Sequence, residues 1–265
     1  MRRVVFFAFM IVILLSMSAC GTTDTGESMT SSIQPESGSD QTSLSANQTT
    51  ATEVSTSSKT DIVIFSDPIL EEGIREAMDK PTGDITTEEA ATVTELLLDA
   101  EWDPEAPVET KIQDISCLTY FVNLERLELQ FHAITDISPL AGLTKLHSLA
   151  LGGNNITDIS TLNALVNLRF LSIFNCQATD YRPLSKLTNL QTLFISWSTF
   201  EDLTVLAELK DLTTLYIDNT LVADLSPISD LKLTGLHLDG SKVTDFAPIH
   251  DIYPNLTDKD FEMPE

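Results

Sequence analysis

The chain has 265 residues and is strongly acidic, with 15 Lys plus Arg against 40 Asp plus Glu and a formal charge of −25. Such a surface repels nucleic acid and anionic bilayers, so nucleic acid is not expected as a partner. The three cysteines form no Cys-x-x-Cys pair, the four histidines lie at unrelated positions, and no catalytic motif is present. The sequence therefore predicts no enzyme, no metal centre and no cofactor.

The amino terminus carries two arginines, an apolar run over residues 4–15 and the sequence MSAC, which ends at Cys20. This composition is typical of a secretory signal, and the apolar run is too short to span a bilayer. The ending resembles a bacterial lipobox, in which the cysteine is lipidated, although that motif prefers Leu where Met17 stands. We predict a lipoprotein-type signal peptide over residues 1–20 with lipidation at Cys20. The alternative is a simple signal peptide in which Cys20 is incidental.

Half of residues 21–60 are Ser or Thr, and almost none is large and apolar. Such a segment cannot bury enough surface to offset the entropy lost on ordering, so we predict a disordered tether. Together with the lipid anchor, this tether places the protein on the bacterial cell surface, at the outer face of the cytoplasmic membrane. Secretion is the alternative location.

Two helix-start signals follow the tether. Asp67 precedes a proline that suits a first helical turn, and Thr86 and Glu89 have the spacing of a capping box. We interpret residues 61–95 as a small helical N-terminal cap, because the first repeat of a solenoid needs a cover for its exposed core.

One pattern then repeats over residues 96–256 with a period of about 22 residues, as LALGGNNITDISTLNALVNL at 149–168 illustrates. Each repeat begins with Leu-x-Leu alternation, which predicts a short strand with one buried face, and no window keeps helical spacing. A repeat of this size buries its apolar face only against its neighbours, so the sequence predicts a solenoid. The leading leucine recurs at Leu127, Leu149, Leu171, Leu193, Leu215 and Leu236.

The repeat resembles the short form of the bacterial, internalin-type leucine-rich repeat, LxxLxLxxNxIxDIxPLxxLxxL. The resemblance implies an α/β fold, a right-handed solenoid with a curved parallel β-sheet and mostly 3₁₀ or turn structure on the convex side. The chain departs at the asparagine column, where only Asn154 keeps the family residue. Cys, Ser and Thr, which stand there in other repeats, can bond the turn backbone instead. Residues 257–265 form an acidic tail that frays or covers the last strand.

Aspartates recur at one repeat position, each ahead of a turn such as Ile-Ser-Pro-Leu. Each can accept the free N–H groups of that turn as a cap. A calcium column is the alternative, but stacked strands hold the carboxylates in single file instead of around one ion. The residues are Asp114, Asp136, Asp158, Asp180, Asp202, Asp224 and Asp245.

The side chains that alternate with the strand leucines point to the concave face and are not needed in the hydrophobic core. An exposed apolar cluster with a polar rim is typical of an interaction site, and Trp and Tyr are enriched in binding hot spots. The alternative is that the rings stack across strands and only stabilise the sheet. The candidate binding residues are Phe131, Phe170, Phe174, Phe194, Trp197 and Tyr216.

We therefore predict a monomeric, lipid-anchored surface protein whose concave face binds a protein ligand, in adhesion or in contacts between envelope proteins. The family resemblance implies this mode of binding. A cell-wall or glycan-binding lipoprotein is the alternative, because aromatic rings flanked by Asn175, Asp218 and Asp239 can stack on sugars. A passive spacer without a ligand is a third hypothesis.

Overall fold

In the computed structural model, which describes residues 61–263, eight short parallel strands pair in chain order into one open sheet. Their register places Leu96, Leu127 and Leu149 side by side and continues this leucine column to Leu236. The arrangement confirms the predicted α/β solenoid with a parallel sheet. The strands are β1 Glu95–Leu97, β2 Arg126–Glu128, β3 Ser148–Ala150, β4 Phe170–Ser172, β5 Thr192–Phe194, β6 Thr214–Tyr216, β7 Gly235–His237 and β8 Asp258–Lys259.

The core lies between the sheet and the returning chain. The leucine column is completely buried, and leucines and isoleucines from the return path pack against it as one continuous cluster. Full burial of one such side chain contributes about 2 kcal/mol. Because each repeat covers the next, this burial also fixes the register in which the concave side chains stand.

The chain returns on the convex side through short 3₁₀ helices, as the absence of helical spacing predicted. At or next to the start of these helices, all seven predicted aspartates accept a backbone N–H two residues later, at 2.7–3.0 Å from Oδ1. The predicted capping role is therefore confirmed. The 3₁₀ helices are Val108–Thr110, Ser116–Tyr120, Ser138–Gly142, Ser160–Ala164, Arg182–Lys186, Leu203–Leu206, Ser226–Ile228, Ala247–Ile249 and Tyr253–Asn255.

The asparagine column lies buried between each strand and its return path. Asn154 makes three hydrogen bonds of 2.7–3.0 Å to backbone groups of its own and the preceding repeat. Ser198 and Thr220 stand at the same position and donate to a carbonyl of their own repeat, at 2.6 and 2.7 Å. Cys176, another replacement, donates its thiol to the Leu151 carbonyl at 3.7 Å, and burial raises its pKa to about 12, so the thiol stays protonated. The turn thus survives the loss of asparagine, as predicted.

Two helices, α1 (Pro68–Ala77) and α2 (Thr87–Ala90), close the N-terminal end, and the predicted capping box precedes α2. One carboxylate oxygen of Asp67 accepts two N–H groups at the start of α1, at 3.0 and 3.1 Å. Its other oxygen accepts the N–H groups of Gln113 and Asp114, at 2.7 and 3.1 Å. Burial opposes ionisation of Asp67, but these four bonds outweigh it and lower its pKa. Asp67 therefore joins the cap to the first convex turn.

The acidic tail closes the opposite end. Its strand β8 pairs with β7, and the Asp260 carboxylate accepts the N–H groups of Leu238 and Asp239, both at 2.9 Å. A side chain thus satisfies two backbone donors just beyond β7, where the pairing with the short strand β8 has ended.

Within residues 61–263, none of the helices has the length and hydrophobicity needed to cross a bilayer. The predicted lipidation site Cys20 and the predicted tether over residues 21–60 lie outside the described residues. Both stay predictions.

Candidate binding face

The concave face is the outer surface of the sheet, formed by side chains that alternate with the buried leucines. In the fourth repeat it contains Phe170, Ser172 and Phe174, and Asn175 follows at the strand's end. Register puts the equivalent residues of every repeat in columns along the sheet. Each residue on this face therefore stands beside the equivalent residue of the neighbouring repeat.

Four rings contact one another in a row across β4 to β7, which we call the aromatic ladder; the last three are stacked register partners, and the first is tilted: Phe170, Phe194, Tyr216 and His237. The ring centroids of Phe194 and Tyr216 are 4.2 Å apart, as are those of Tyr216 and His237, and both pairs are nearly parallel. Phe170 is half-buried and leans on Phe194 at 5.6 Å with a tilt of 48°. Strand spacing of about 4.8 Å explains the stack, since register partners then stand one ring thickness and a small gap apart.

The expectation that these rings are exposed is wrong for Phe194 and Tyr216, which are each only 5% exposed. Each ring covers its neighbour, so stacking removes most of both faces from water. The two rings therefore stack across strands, as the alternative expects. Their part in binding stays a prediction.

Phe131 and Phe174 form a second aromatic pair, with ring centroids 5.5 Å apart. Both rings occupy space left by two glycines. A Cβ on Gly152 would lie 2.2 Å from the Phe174 ring, and one on Gly153 would lie 2.6 Å from the Phe131 ring. The two phenylalanines are buried as a result, so the expectation of exposure is wrong here as well.

Trp197 differs from the other candidates because 46% of it is exposed. Its φ of 59° lies in the left-handed region, as does that of the equivalent Phe131, Asn175 and Asn219. Gly153 and Gly240 stand at the same position, so the turn imposes a positive φ in every repeat from Phe131 to Gly240, and the buried Phe131 adopts it as well. Trp197 is the strongest binding candidate on the face because its large ring is exposed.

The aromatic ladder ends on carboxylates. The hydroxyl of Tyr216 donates to one oxygen of Asp258 at 2.8 Å, and Nε2 of His237 lies 2.8 Å from the other. Burial, reinforced by the bond to Asp258, raises the pKa of Tyr216, so its hydroxyl remains protonated and donates. The last strand thus holds the final two rings of the ladder in place.

A second carboxyl pair lies beside this contact. Asp218 accepts a hydrogen bond from the Ser196 hydroxyl at 2.6 Å and forms another with Asp260. Burial, then the neighbouring Asp260 carboxyl, raises the pKa of Asp218 above its ordinary value. Burial also opposes ionisation of Asp260, but the bonds that it accepts lower its pKa. The two carboxyls are therefore pushed apart in pKa, with that of Asp218 the higher.

The other end of the concave face is also acidic. Asp99 accepts both the backbone N–H and the side-chain N–H of Gln130, at 2.6 and 2.7 Å. Glu128 accepts from Nε of Arg126 at 2.9 Å. Burial raises the pKa of Asp99 and of Glu128 above the ordinary value. Carboxylates therefore flank the aromatic residues at both ends of the sheet.

The comparisons with known proteins agree with this fold. The family model described as Leucine Rich repeats (2 copies) matches residues 122–164 and 144–186. A crystal structure of internalin C2 from Listeria monocytogenes is 32% identical, with a TM-score of 0.59, and the match covers 75% of this chain and 94% of that chain. The chain belongs to the internalin family of leucine-rich-repeat proteins.

A second internalin, internalin F from Listeria monocytogenes, is 30% identical with a TM-score of 0.63. The match covers 77% of this chain but only 65% of internalin F, so the chain spans less than two thirds of that relative. Among curated proteins, none matches the chain.

The carboxylates around His237 were not predicted, because the four histidines lie at unrelated repeat positions and residues 257–265 were predicted as a tail. The repeat period was the signal that could have found the cluster, since Asp260 follows His237 by 23 residues, about one repeat. Because Leu236 pairs with Lys259, Asp260 falls beside His237 as the tail extends the sheet by one strand.

Proposed function

We propose that this internalin-family chain is a protein-binding module of the bacterial cell surface and not an enzyme, with its ligand on the concave face around Trp197. The observation that carries this proposal is the exposed indole of Trp197 on a face where the neighbouring rings of Phe194 and Tyr216 are buried. Tryptophan is enriched in binding hot spots, and an exposed apolar group with polar neighbours is typical of an interaction site.

The buried rings give this surface a fixed shape. Phe194 and Tyr216 stack on each other, and Phe131 packs against Phe174, so these side chains have few alternative rotamers to lose when a ligand binds. Preorganisation of this kind lowers the entropic cost of association. Phe170, which is only half-buried, extends the contact surface beyond the ladder.

Charge favours a protein ligand with a basic patch. Carboxylates lie at both ends of the concave face, and the chain as a whole has a formal charge of −25. Complementary charge accelerates association and excludes acidic competitors more than it increases affinity. Association is therefore expected to slow as ionic strength rises.

Trp197→Ala tests the site, and Leu221→Ala is its control. Both residues are large and apolar, 46% and 45% exposed, but Leu221 follows the turn that leaves the concave face. The full chain and both variants are offered host membrane extract and purified bacterial wall. A protein that the parent and Leu221→Ala capture, and that binds Trp197→Ala at least tenfold more weakly, supports the proposal. Equal binding by Trp197→Ala contradicts it.

A glycan ligand is the second candidate. Asn175 and Asn219 stand at the repeat positions on either side of Trp197 and share its left-handed conformation. An aromatic ring between polar amides suits a sugar, since the ring can stack on the sugar face and the amides can bond its hydroxyls. Capture of purified wall that soluble sugar competes away, and that Trp197→Ala loses, would favour this function.

We also propose that Cys20 carries the lipid that holds the module at the outer face of the cytoplasmic membrane, with residues 21–60 as the tether. Sequence supports this proposal through the signal-like composition before Cys20 and the Ser/Thr-rich segment after it. Cells that express the full chain are labelled with a fatty-acid analogue. Cys20→Ala should lose the label and Cys176→Ala should keep it; a labelled Cys20→Ala chain contradicts lipidation there.

A further inference from the structure

Three side chains with metal-binding atoms meet at the C-terminal end of the concave face. One ligand atom from each of Asp218, His237 and Asp260 lies within 4.8 Å of the other two. Nδ1 of His237 and Oδ2 of Asp260 are 3.8 Å apart. Two ligands bound at about 2.0–2.1 Å around a tetrahedral ion lie about 3.3 Å apart, so this pair needs a contraction of about half an ångström to bind one ion.

Asp258 orients the imidazole toward this cluster. Nε2 of His237 lies 2.8 Å from an Asp258 oxygen, and the Tyr216 hydroxyl donates to the other oxygen of the same carboxylate. A carboxylate at Nε2 favours the tautomer that carries its proton there, which directs the Nδ1 lone pair toward Asp260. Metal-bound histidines are held in this way by a carboxylate on their other ring nitrogen.

Asp218 supplies a buried anchor for the cluster. It is only 8% exposed, and the Ser196 hydroxyl donates to its Oδ2 at 2.6 Å, which holds the carboxylate in place. A divalent cation bound here would neutralise two carboxylates that lie within reach of one ion.

We propose that Asp218, His237 and Asp260 bind one divalent transition-metal ion, for which Zn²⁺ is the best match, and that Asp258 positions His237. One imidazole and two carboxylates suit Zn²⁺, whereas Ca²⁺ and Mg²⁺ prefer a shell of oxygens. Three protein ligands leave a coordination position for water or for a group of a bound molecule.

The site would connect three consecutive strands, because each ligand lies at or just after the end of one of them. Asp218 follows β6, His237 ends β7 and Asp260 follows β8. An ion bound by all three ties the acidic tail to the repeats that precede it, and because it binds only the folded arrangement it raises the melting temperature. This inference does not depend on the proposed concave-face ligand.

The test is calorimetric titration of the chelator-treated full chain with ZnCl₂. The parent should bind one Zn²⁺, and His237→Gln and Asp218→Asn should each lower the affinity at least tenfold. His250→Gln is the matched control, because this exposed histidine also lies beside an aspartate, Asp251. Zn²⁺ should raise the melting temperature of the parent and of His250→Gln, and have little effect on His237→Gln.

Further measurements separate loss of metal binding from loss of folding and identify the ligand atoms. Circular dichroism without metal shows whether each variant folds, and Asp258→Asn, which keeps all three ligands, should still weaken binding by about 10–100-fold. The spectrum with Co²⁺ should show nitrogen and oxygen ligation. Absence of Zn²⁺ uptake by the parent, equal uptake by His237→Gln, a thiolate band with Co²⁺ or a preference for Ca²⁺ would each overturn the proposal.

Discussion

The convex and concave sides of the solenoid share one period but follow different rules. On the convex side every repeat makes the same contact, an aspartate that accepts a backbone N–H two residues later. On the concave side, one column reads Glu128, Ala150, Ser172, Phe194, Tyr216 and His237. Stability on the convex side is therefore divided among many equal small terms, whereas on the concave side it is concentrated in a few contacts between particular neighbours.

Glycine to alanine substitutions on the two sides should show the largest difference in the free energy of unfolding between them. Gly152→Ala places a Cβ 2.2 Å from the Phe174 ring, so the ring or the strand must shift, at a cost of about 2–3 kcal/mol. Gly142→Ala on the convex side meets no atom within 4 Å and should be neutral or slightly stabilising. Urea denaturation of both variants measures the difference.

The double variant Gly152→Ala/Phe174→Leu isolates the cause. A smaller side chain at Phe174 leaves room for the new methyl, so part of the lost free energy of unfolding should return. Equal destabilisation by Gly152→Ala and Gly142→Ala would show that the two sides tolerate added volume alike.

These glycines also show what the sequence could and could not predict. The period and the Leu-x-Leu alternation predicted the strands and the solenoid, because every repeat poses the same packing problem. Exposure on the concave face was mispredicted, since burial of Phe174 depends on the empty position Gly152 one repeat earlier. Burial of Tyr216 likewise depends on Phe194 and His237, so it follows from register between repeats and not from composition within one.

Asp67 in the N-terminal cap accepts backbone N–H groups, as the convex aspartates do. Its substitution should cause the next largest loss of stability. Asp67→Asn replaces an acceptor with an amide donor that faces the N–H of Gln113 or Asp114, so we expect a loss of about 1.5–2 kcal/mol at pH 7. The pKa of Asp67 is lowered on folding, so its ionised form stabilises the fold above the unfolded value of 3.8. That contribution is lost as pH falls through the lower folded pKa.

The parent should therefore lose stability more steeply than Asp67→Asn as pH falls below the unfolded value of 3.8, and the two denaturation curves should converge in acid. Asp61→Asn is the control, because Asp61 is exposed and precedes the cap helices. A constant difference between parent and Asp67→Asn across this pH range would contradict the role of the Asp67 charge.

The smallest effect is expected at a single convex cap. Asp158→Ala removes one hydrogen bond, from the Ser160 N–H at 2.8 Å, on an exposed side chain. That bond lowers the pKa of Asp158, so the loss should be present at pH 7 and absent in strong acid. The melting temperature should fall slightly for Asp158→Ala, and by a further similar step when Asp224→Ala is added, because these caps lie three repeats apart and share no partner. If the melting temperature of the double variant fell by much more than the sum of the two single decreases, the convex caps would act cooperatively. Stability on the convex side would then also depend on coupled contacts, as it does on the concave face.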